Sequence, residues 1–352
     1  MKSSLAVLLC IYAGSSWSQS GDTLRIRPPV PPVGTITTTA QTPVHDPVMI
    51  KEGNRYYLFC TGFGIAVFSS TDLKDWRKEK PVFDKAPQWA VDTIPGFRGH
   101  IWAPDISYHD GLFYLYYSVS AFGKNTSAIG VATNKTLVAG SPDFNWTDHG
   151  LVIQSYPGKT NWNAIDPNLI EDDKGQPWLS FGSFWDGLKL VKLTADRLAI
   201  AEDITSIPTI ASRKKQPSGD NLPAVDDNPK DAGGNAIEAP FIFYKNGYYY
   251  LFASIDYCCK GVKSTYKMIV GRSQQIKGPY LDKAGISMAN AGGSLVLAGD
   301  DKWYGVGHNA VVRFDGQDYL VFHGYDAADN GRSKLRVEKI SWDIEGWPVL
   351  VL

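Results

Sequence analysis

The sequence predicts an all-β protein: a five-bladed β-propeller of four-stranded antiparallel blades around a central channel. Three observations carry this expectation. Five segments repeat one pattern of a polar residue or Pro, an aliphatic strand, a turn and an aromatic strand. A further strand-like stretch follows each of them. The 352 residues also include 11 Trp, 18 Tyr, 15 Phe, 34 Gly and 21 Pro, which suits aromatic strands joined by tight turns and not a helical bundle.

The repeats begin at His45 (HDPVMIKEGNRYYLFCTG), Ala103 (APDISYHDGLFYLYYSVS), Ile165 (IDPNLIEDDKGQPWLSFGSF), Glu238 (EAPFIFYKNGYYYLFASI) and His308 (HNAVVRFDGQDYLVFHGY). Their turns read Glu-Gly-Asn, His-Asp-Gly, Asp-Lys-Gly, Lys-Asn-Gly and Asp-Gly-Gln, hairpin signals between period-2 runs. The third strands start at Ile65, Ala128, Leu188, Tyr266 and Lys334. Units recur at roughly 60 to 70 residues, and four-stranded sheets repeated radially protect their edges by closing. A TIM barrel would need a helix between successive strands, and a β-helix would repeat at a shorter period. The propeller is expected to span residues 37–352. Its ring closes either with the C-terminal strand completing blade five alone or with help from residues 37–40.

Ahead of the repeats, residues 1–18 read as a signal peptide: basic Lys2, an apolar run over 5–13 and small residues near 16–18. That run is too short to span a bilayer, and bulky Leu9 argues against lipidation of Cys10. A secreted or periplasmic protein with no membrane span is expected. Residues 19–36 read as a Pro-rich arm, and 212–235 as a long polar loop that is either a solvated insertion or a functional wall. Thirty-five Lys and Arg against 36 Asp and Glu leave a net charge of −1, which argues against a nucleic-acid partner. The expectation is a monomer.

Beyond the signal only Cys60, Cys258 and Cys259 remain, too few for a disulfide framework and badly spaced for a thiolate metal site. Cys60 reads as a buried thiol. Cys258 and Cys259 are either a vicinal disulfide or two buried thiols.

Equivalent positions at the start of each inner strand should ring one mouth of the channel: Asp46, Asp105, Asp166, Glu238 and His308. A lone Asp-Pro is most simply a turn cap, and a lone His a core residue. Several carboxylates buried together are costly unless paired, protonated or used. Clustered acids beside aromatics suit glycoside hydrolysis, in which one carboxylic acid protonates the leaving oxygen and an opposite carboxylate activates water or attacks the sugar. A third carboxylate keeps the acid protonated by like-charge repulsion. Trp89, Trp102, Phe122, Trp162, Phe184 and Trp185 are available to stack on sugar rings, although each could equally be core.

The stretches HDPVMI, GHIWAPDI, NAIDPNLI, SFGSFW, AIEAPFI and GVGHNAV resemble glycoside hydrolase family 43, particularly its arabinanases, over the chain from His45 to the C-terminal DIEGWPVL. The resemblance implies a five-bladed propeller and an inverting mechanism on α-1,5-linked L-arabinan or arabino-oligosaccharides, of the endo-arabinanase type. A β-xylosidase or α-L-arabinofuranosidase of the same family, or a carbohydrate-binding propeller without catalysis, is the alternative. It further implies Asp46 as general base, Glu238 as general acid and Asp166 as the residue that raises the acid's pKa and orients it. Inversion expects the base and acid carboxyls to be ~6.5–9.5 Å apart. By the same resemblance His308 would hold one hydrated calcium or similar ion on the propeller axis, an atypical site because calcium prefers oxygen ligands. No organic cofactor is expected. The expected substrate-binding set is Asp46, Trp102, Phe122, Gly123, Asn163, Asp166, Ser183 and Trp185.

Overall fold

The computed structural model describes residues 31–214 and 234–350. The signal peptide, most of the Pro-rich arm and most of the 212–235 loop lie outside the described residues. The five repeats fold as five antiparallel sheets around an axis, as the sequence predicts. The inner strands are Val48–Glu52, His100–His109, Asn168–Glu171, Ile237–Lys245 and Trp303–Phe314. The aromatic runs form the second strands: Arg55–Cys60, Leu112–Val119, Pro177–Phe181, Tyr248–Ile255 and Gln317–Asp326.

Turn chemistry sets the register of these hairpins. Asp110-Gly111, Asn246-Gly247 and Asp315-Gly316 all have positive φ at both positions, the conformation of two-residue type I′ turns. They place His109 opposite Leu112, Lys245 opposite Tyr248 and Phe314 opposite Gln317. Apolar faces then pack between neighbouring blades. One such seam joins Phe252 and Val270 of blade four to Leu320 and Phe322 of blade five, all essentially buried.

The ring closes without strand exchange in blade five, which is built wholly from the C-terminal quarter and ends with Pro348–Leu350. The segment near residue 37 instead serves blade one. Ile36–Thr38 pairs with Asp75–Lys78 as a fifth, outermost strand. Closure falls to the chain just ahead of the inner strand of blade one: the Leu335 N–H of blade five donates to the Thr42 carbonyl at 2.9 Å.

Every inner strand is entered through the same irregularity. Trp102 pairs with Ser118 but Asp105 with Tyr116, so the inner strand carries one extra residue, a β-bulge. The same three-against-two spacing recurs at Glu238 to Phe241 and at Gly307 to Ala310. In blades one and three it follows from the Thr61 N–H bonding the His45 carbonyl and the Gly182 N–H bonding that of Ile165. Each bulge holds a non-glycine residue at positive φ: Asp46 (53°), Ala103 (41°), Asp166 (59°), Ala239 (55°) and His308 (51°). Such residues are uncommon and cluster where function needs a side chain re-aimed.

The bulges correct the sequence alignment of the ring. Ala103 and Ala239, not Asp105 and Glu238, are the structural equivalents of Asp46, Asp166 and His308. Asp105 lies two residues beyond its bulge and is buried in a seam, where its Oδ2 accepts the Leu169 N–H at 2.7 Å. Asn168 does the same one blade on, accepting the Ile242 N–H at 2.8 Å. Asp105 therefore clamps blades two and three and takes no place at the mouth.

Candidate active site

In the up-and-down blades the starts of the inner strands and the loops between second and third strands share one end of the propeller. Asp46, Asp166, Glu238 and His308 meet there, all largely buried. The side chain that caps each bulge is what fixes them. Four bulge N–H groups bond a side chain of the preceding blade: Ala103 to Thr61 Oγ1 (2.9 Å), Asp166 to Ser118 Oγ (3.0 Å), His308 to Ser254 Oγ (2.8 Å) and Asp46 to His323 Nδ1 (3.2 Å). The fifth cap would come from Gly182, which has no side chain. Asp166 fills the gap, its Oδ2 accepting the Ala239 N–H at 3.1 Å.

Asp46 sits in a hydrogen-bond chain. Its N–H donates to His323 Nδ1, so that ring carries its hydrogen on Nε2, which points at the Tyr325 oxygen at 3.3 Å. The same oxygen accepts the Cys259 N–H at 2.7 Å. The Tyr325 oxygen also lies 2.8 Å from His45 Nε2, and His45 donates from Nδ1 to Asp46 Oδ1 at 2.8 Å. Burial holds the His323 pKa well below the usual histidine range, so this ring is neutral and its 3.8 Å approach to Asp46 is no ion pair.

His308 Nδ1 lies 3.0 Å from the same Asp46 oxygen, and Thr61 donates to Asp46 Oδ2 at 2.5 Å. Burial opposes ionisation of Asp46, but His45 and His308 outweigh it and hold the carboxyl well below its usual range. For His308, burial is likewise outweighed by Asp46 and Asp166, and its pKa is pushed up to about 9. Asp166 behaves oppositely. Burial, reinforced by Glu238 and Asp46 against the pull of His308, pushes it up to about 8. Ionisation is thus favoured at Asp46 and opposed at Asp166 within one mouth, a contrast typical of acid–base sites.

Glu238 is held at both oxygens. Ser183 donates to Oε2 at 2.8 Å and Tyr266 to Oε1 at 2.7 Å. Ser183 is presented by the loop running to Trp185, which is pinned from below. Asn235 Nδ2 bonds the Trp185 carbonyl at 2.9 Å, and the buried Lys189 Nζ lies 2.8 Å from Asp186 Oδ2.

Of the remaining expected contact residues, Trp102 is half-buried beside its bulge and donates to His100 Nδ1 at 2.9 Å. Phe122 is exposed on the loop after the second strand of blade two, followed by Gly123 at φ 75°. Asn163 Oδ1 and Trp185 Nε1 are buried without a protein partner, available to a sugar hydroxyl or a water. Trp162 and Trp89 leave the stacking set. Trp162 packs edge-on against Phe181 in the core, and Trp89 bonds Tyr117 and Asp148 on the side of blade two. Thr61, Tyr266, His323 and Tyr325 escaped the sequence reading. Thr61, His323 and Tyr325 lie at or near the end of a second strand and Tyr266 just ahead of a third, where nothing in the repeat sets them apart.

Cys258 and Cys259 form a disulfide, and Cys60 is a buried thiol whose pKa burial raises to about 12. Calcium finds a poor donor set on the axis. His308 offers one remaining ring nitrogen, the Asp46 oxygens are committed to three donors, and the cation prefers six to eight oxygens.

Comparison with known proteins settles the family. The model of glycosyl hydrolases family 43 matches residues 38–348. The chain is a family 43 glycoside hydrolase. This family 43 chain is 54% identical over 308 residues to the extracellular exo-α-(1→5)-L-arabinofuranosidase of Cellvibrio japonicus, covering 88% of this chain and 86% of that one. It is 44% identical over 309 residues to the extracellular endo-α-(1→5)-L-arabinanase 1 of Bacillus subtilis, covering 87% of each. The solved Cellvibrio cellulosa α-L-arabinanase in complex with arabinohexaose superposes with a TM-score of 0.81 at 52% identity, over 88% of this chain and 96% of that one.

Proposed function

We propose that this glycoside hydrolase cleaves α-1,5-linked L-arabinan with inversion, with Asp46 as general base, Glu238 as general acid and Asp166 as modulator of the acid. The arabinan named in its relatives supports the substrate. The meeting of the Asp46, Asp166 and Glu238 side chains in one buried mouth, Asp46 held by His45 and His308 and Glu238 by Ser183 and Tyr266, is the observation that supports the mechanism. Glu238 gives its proton to the glycosidic oxygen as the bond from C1 to that oxygen breaks and its electron pair passes to the leaving group. On the opposite face a water oxygen bonds C1 and loses a proton to Asp46, which its histidine partners keep ionised. Repulsion between Asp166 and Glu238 is mutual, so the pair resists losing both protons and a proton stays available to the leaving oxygen.

The sequence leaves endo and exo action open, and the greater identity to the relative named for exo action favours release of short products from a chain end over the internal cleavage of the endo-arabinanase type. Early products of uniform short length from linear arabinan support that mode, whereas mixed lengths restore endo action. The extracellular relatives support secretion, and we read the protein as a monomer. Any ion on the axis is held by His308 and water alone, so chelation should leave activity and melting temperature unchanged.

Substituting Glu238→Gln keeps the shape and one accepted hydrogen bond, turns the other position into an amide donor facing a hydroxyl, and removes the transferable proton. Hydrolysis of arabinan should fall by roughly a hundredfold or more. Wild-type rates from E238Q would remove Glu238 from the chemistry.

A further inference from the structure

The Tyr266 side chain is buried between blades four and five, yet its hydroxyl emerges at the reacting carboxyl, 2.7 Å from Glu238 Oε1. The surrounding chain is shaped around this ring. A Cβ at Gly307 would stand 2.2 Å from Tyr266 Cδ1, so that residue of blade five must be glycine for the ring to lie where it does. The neutral His323 imidazole stacks on the ring with centroids 5.9 Å apart, and the Val306 N–H bonds the Tyr266 carbonyl at 2.9 Å. A core aromatic needs only volume. This one is oriented by three contacts, and its single polar atom has Glu238 as its hydrogen-bond partner.

We propose that Tyr266 is a positioning residue for proton donation: its O–H holds Oε1 of Glu238 and stabilises the carboxylate that appears as the proton leaves for the glycosidic oxygen. The inference rests on Glu238 being the general acid. Tyr266 remains a donor throughout the working range, because burial and the neighbouring Glu238 and Asp166 carboxyls keep its hydroxyl from ionising. Ser183 supplies the matching donor to Oε2, so the departing proton leaves behind a carboxylate bonded at both oxygens.

The test uses aryl arabino-oligosaccharides whose phenol leaving groups span a range of acidity, on the wild-type enzyme, Tyr266→Phe and Glu238→Ala. A poor leaving group depends on proton donation and a good one does not. For Y266F, kcat should fall roughly 10- to 100-fold on arabinan and the least acidic phenols, and by no more than about twofold on the most acidic. The alkaline limb of its kcat/KM profile should move to higher pH by about one unit, since the carboxylate has lost a donor. Asp166, His308 and Tyr325 also face Glu238, and all are unchanged in this variant.

Should Y266F fail to fold, 3-fluorotyrosine at position 266 keeps the shape and strengthens the donor, and it should move the limb to lower pH. A loss uniform across leaving groups, with an unmoved limb, overturns the positioning role and leaves Tyr266 as packing. Glu238→Ala distinguishes the underlying reading. A graded loss there with a uniform loss in Y266F rejects only Tyr266, whereas a uniform loss in E238A rejects Glu238 as the acid.

Discussion

The Ala239 N–H donates to Asp166 Oδ2 at 3.1 Å, the one bulge in the ring whose cap comes from a bulge residue of the preceding blade. Asp166 therefore both joins blades three and four and shares their charge with Glu238.

Substitution should separate the two duties. Asp166→Asn keeps an oxygen acceptor and a residue type that tolerates its φ of 59°, so unfolding free energy should match or exceed that of the wild type. Asp166→Ala leaves a buried N–H unpaired and should cost about 1–3 kcal/mol in chemical denaturation. Both variants should lose activity. Equal stability of the two would show that the Ala239 bond carries no weight.

Asp105 makes stability depend on pH. Burial, opposed by the bonds from Leu169 and Asn168, raises its folded pKa to about 7 from 3.8. A raised folded pKa means the folded state holds the proton more tightly, so this contribution is complete below about pH 4 and is lost as pH rises through the folded value. Relative to wild type, Asp105→Asn should therefore gain melting temperature between pH 4 and pH 7 (, roughly the two pKa values). A difference that stays flat with pH would contradict the shifted pKa.

The vicinal disulfide is tied to Asp46. The Cys259 N–H holds the Tyr325 oxygen, which orders His45 against Asp46. Reduction by a phosphine, or Cys258→Ser with Cys259→Ser, frees that loop and should lower kcat several-fold with little change in melting temperature (, a network effect of order 1 kcal/mol). Full activity after verified reduction would show that the chain of bonds does not need the disulfide.

The repeat was legible because each blade restates a hairpin with a glycine in its turn, Asp-Gly or Asn-Gly in three of the five, and period-2 patterns fix which faces pack. The bulge was not, since one extra residue leaves alternation intact on either side of it. That is why Asp105 aligned with Asp46 on paper although Ala103 takes that place in the fold. Asp46, Asp166 and Glu238 stood out because acids gathered at one mouth are costly unless paired, protonated or used, whereas Tyr266 and Tyr325 were hidden among strand aromatics. Trp162 failed as a stacking residue for the same reason in reverse: only the packing against Phe181 tells core from surface.

The stereochemistry of hydrolysis tests the central claim most directly. Proton NMR in deuterated water, recorded before mutarotation, reads the anomer of the first reducing ends released from linear α-1,5-arabinan. Attack by a water activated at Asp46, opposite the leaving group protonated by Glu238, predicts β-configured ends. Ends that appear first as the α anomer would mean a retaining double displacement and would contradict the roles assigned to both residues.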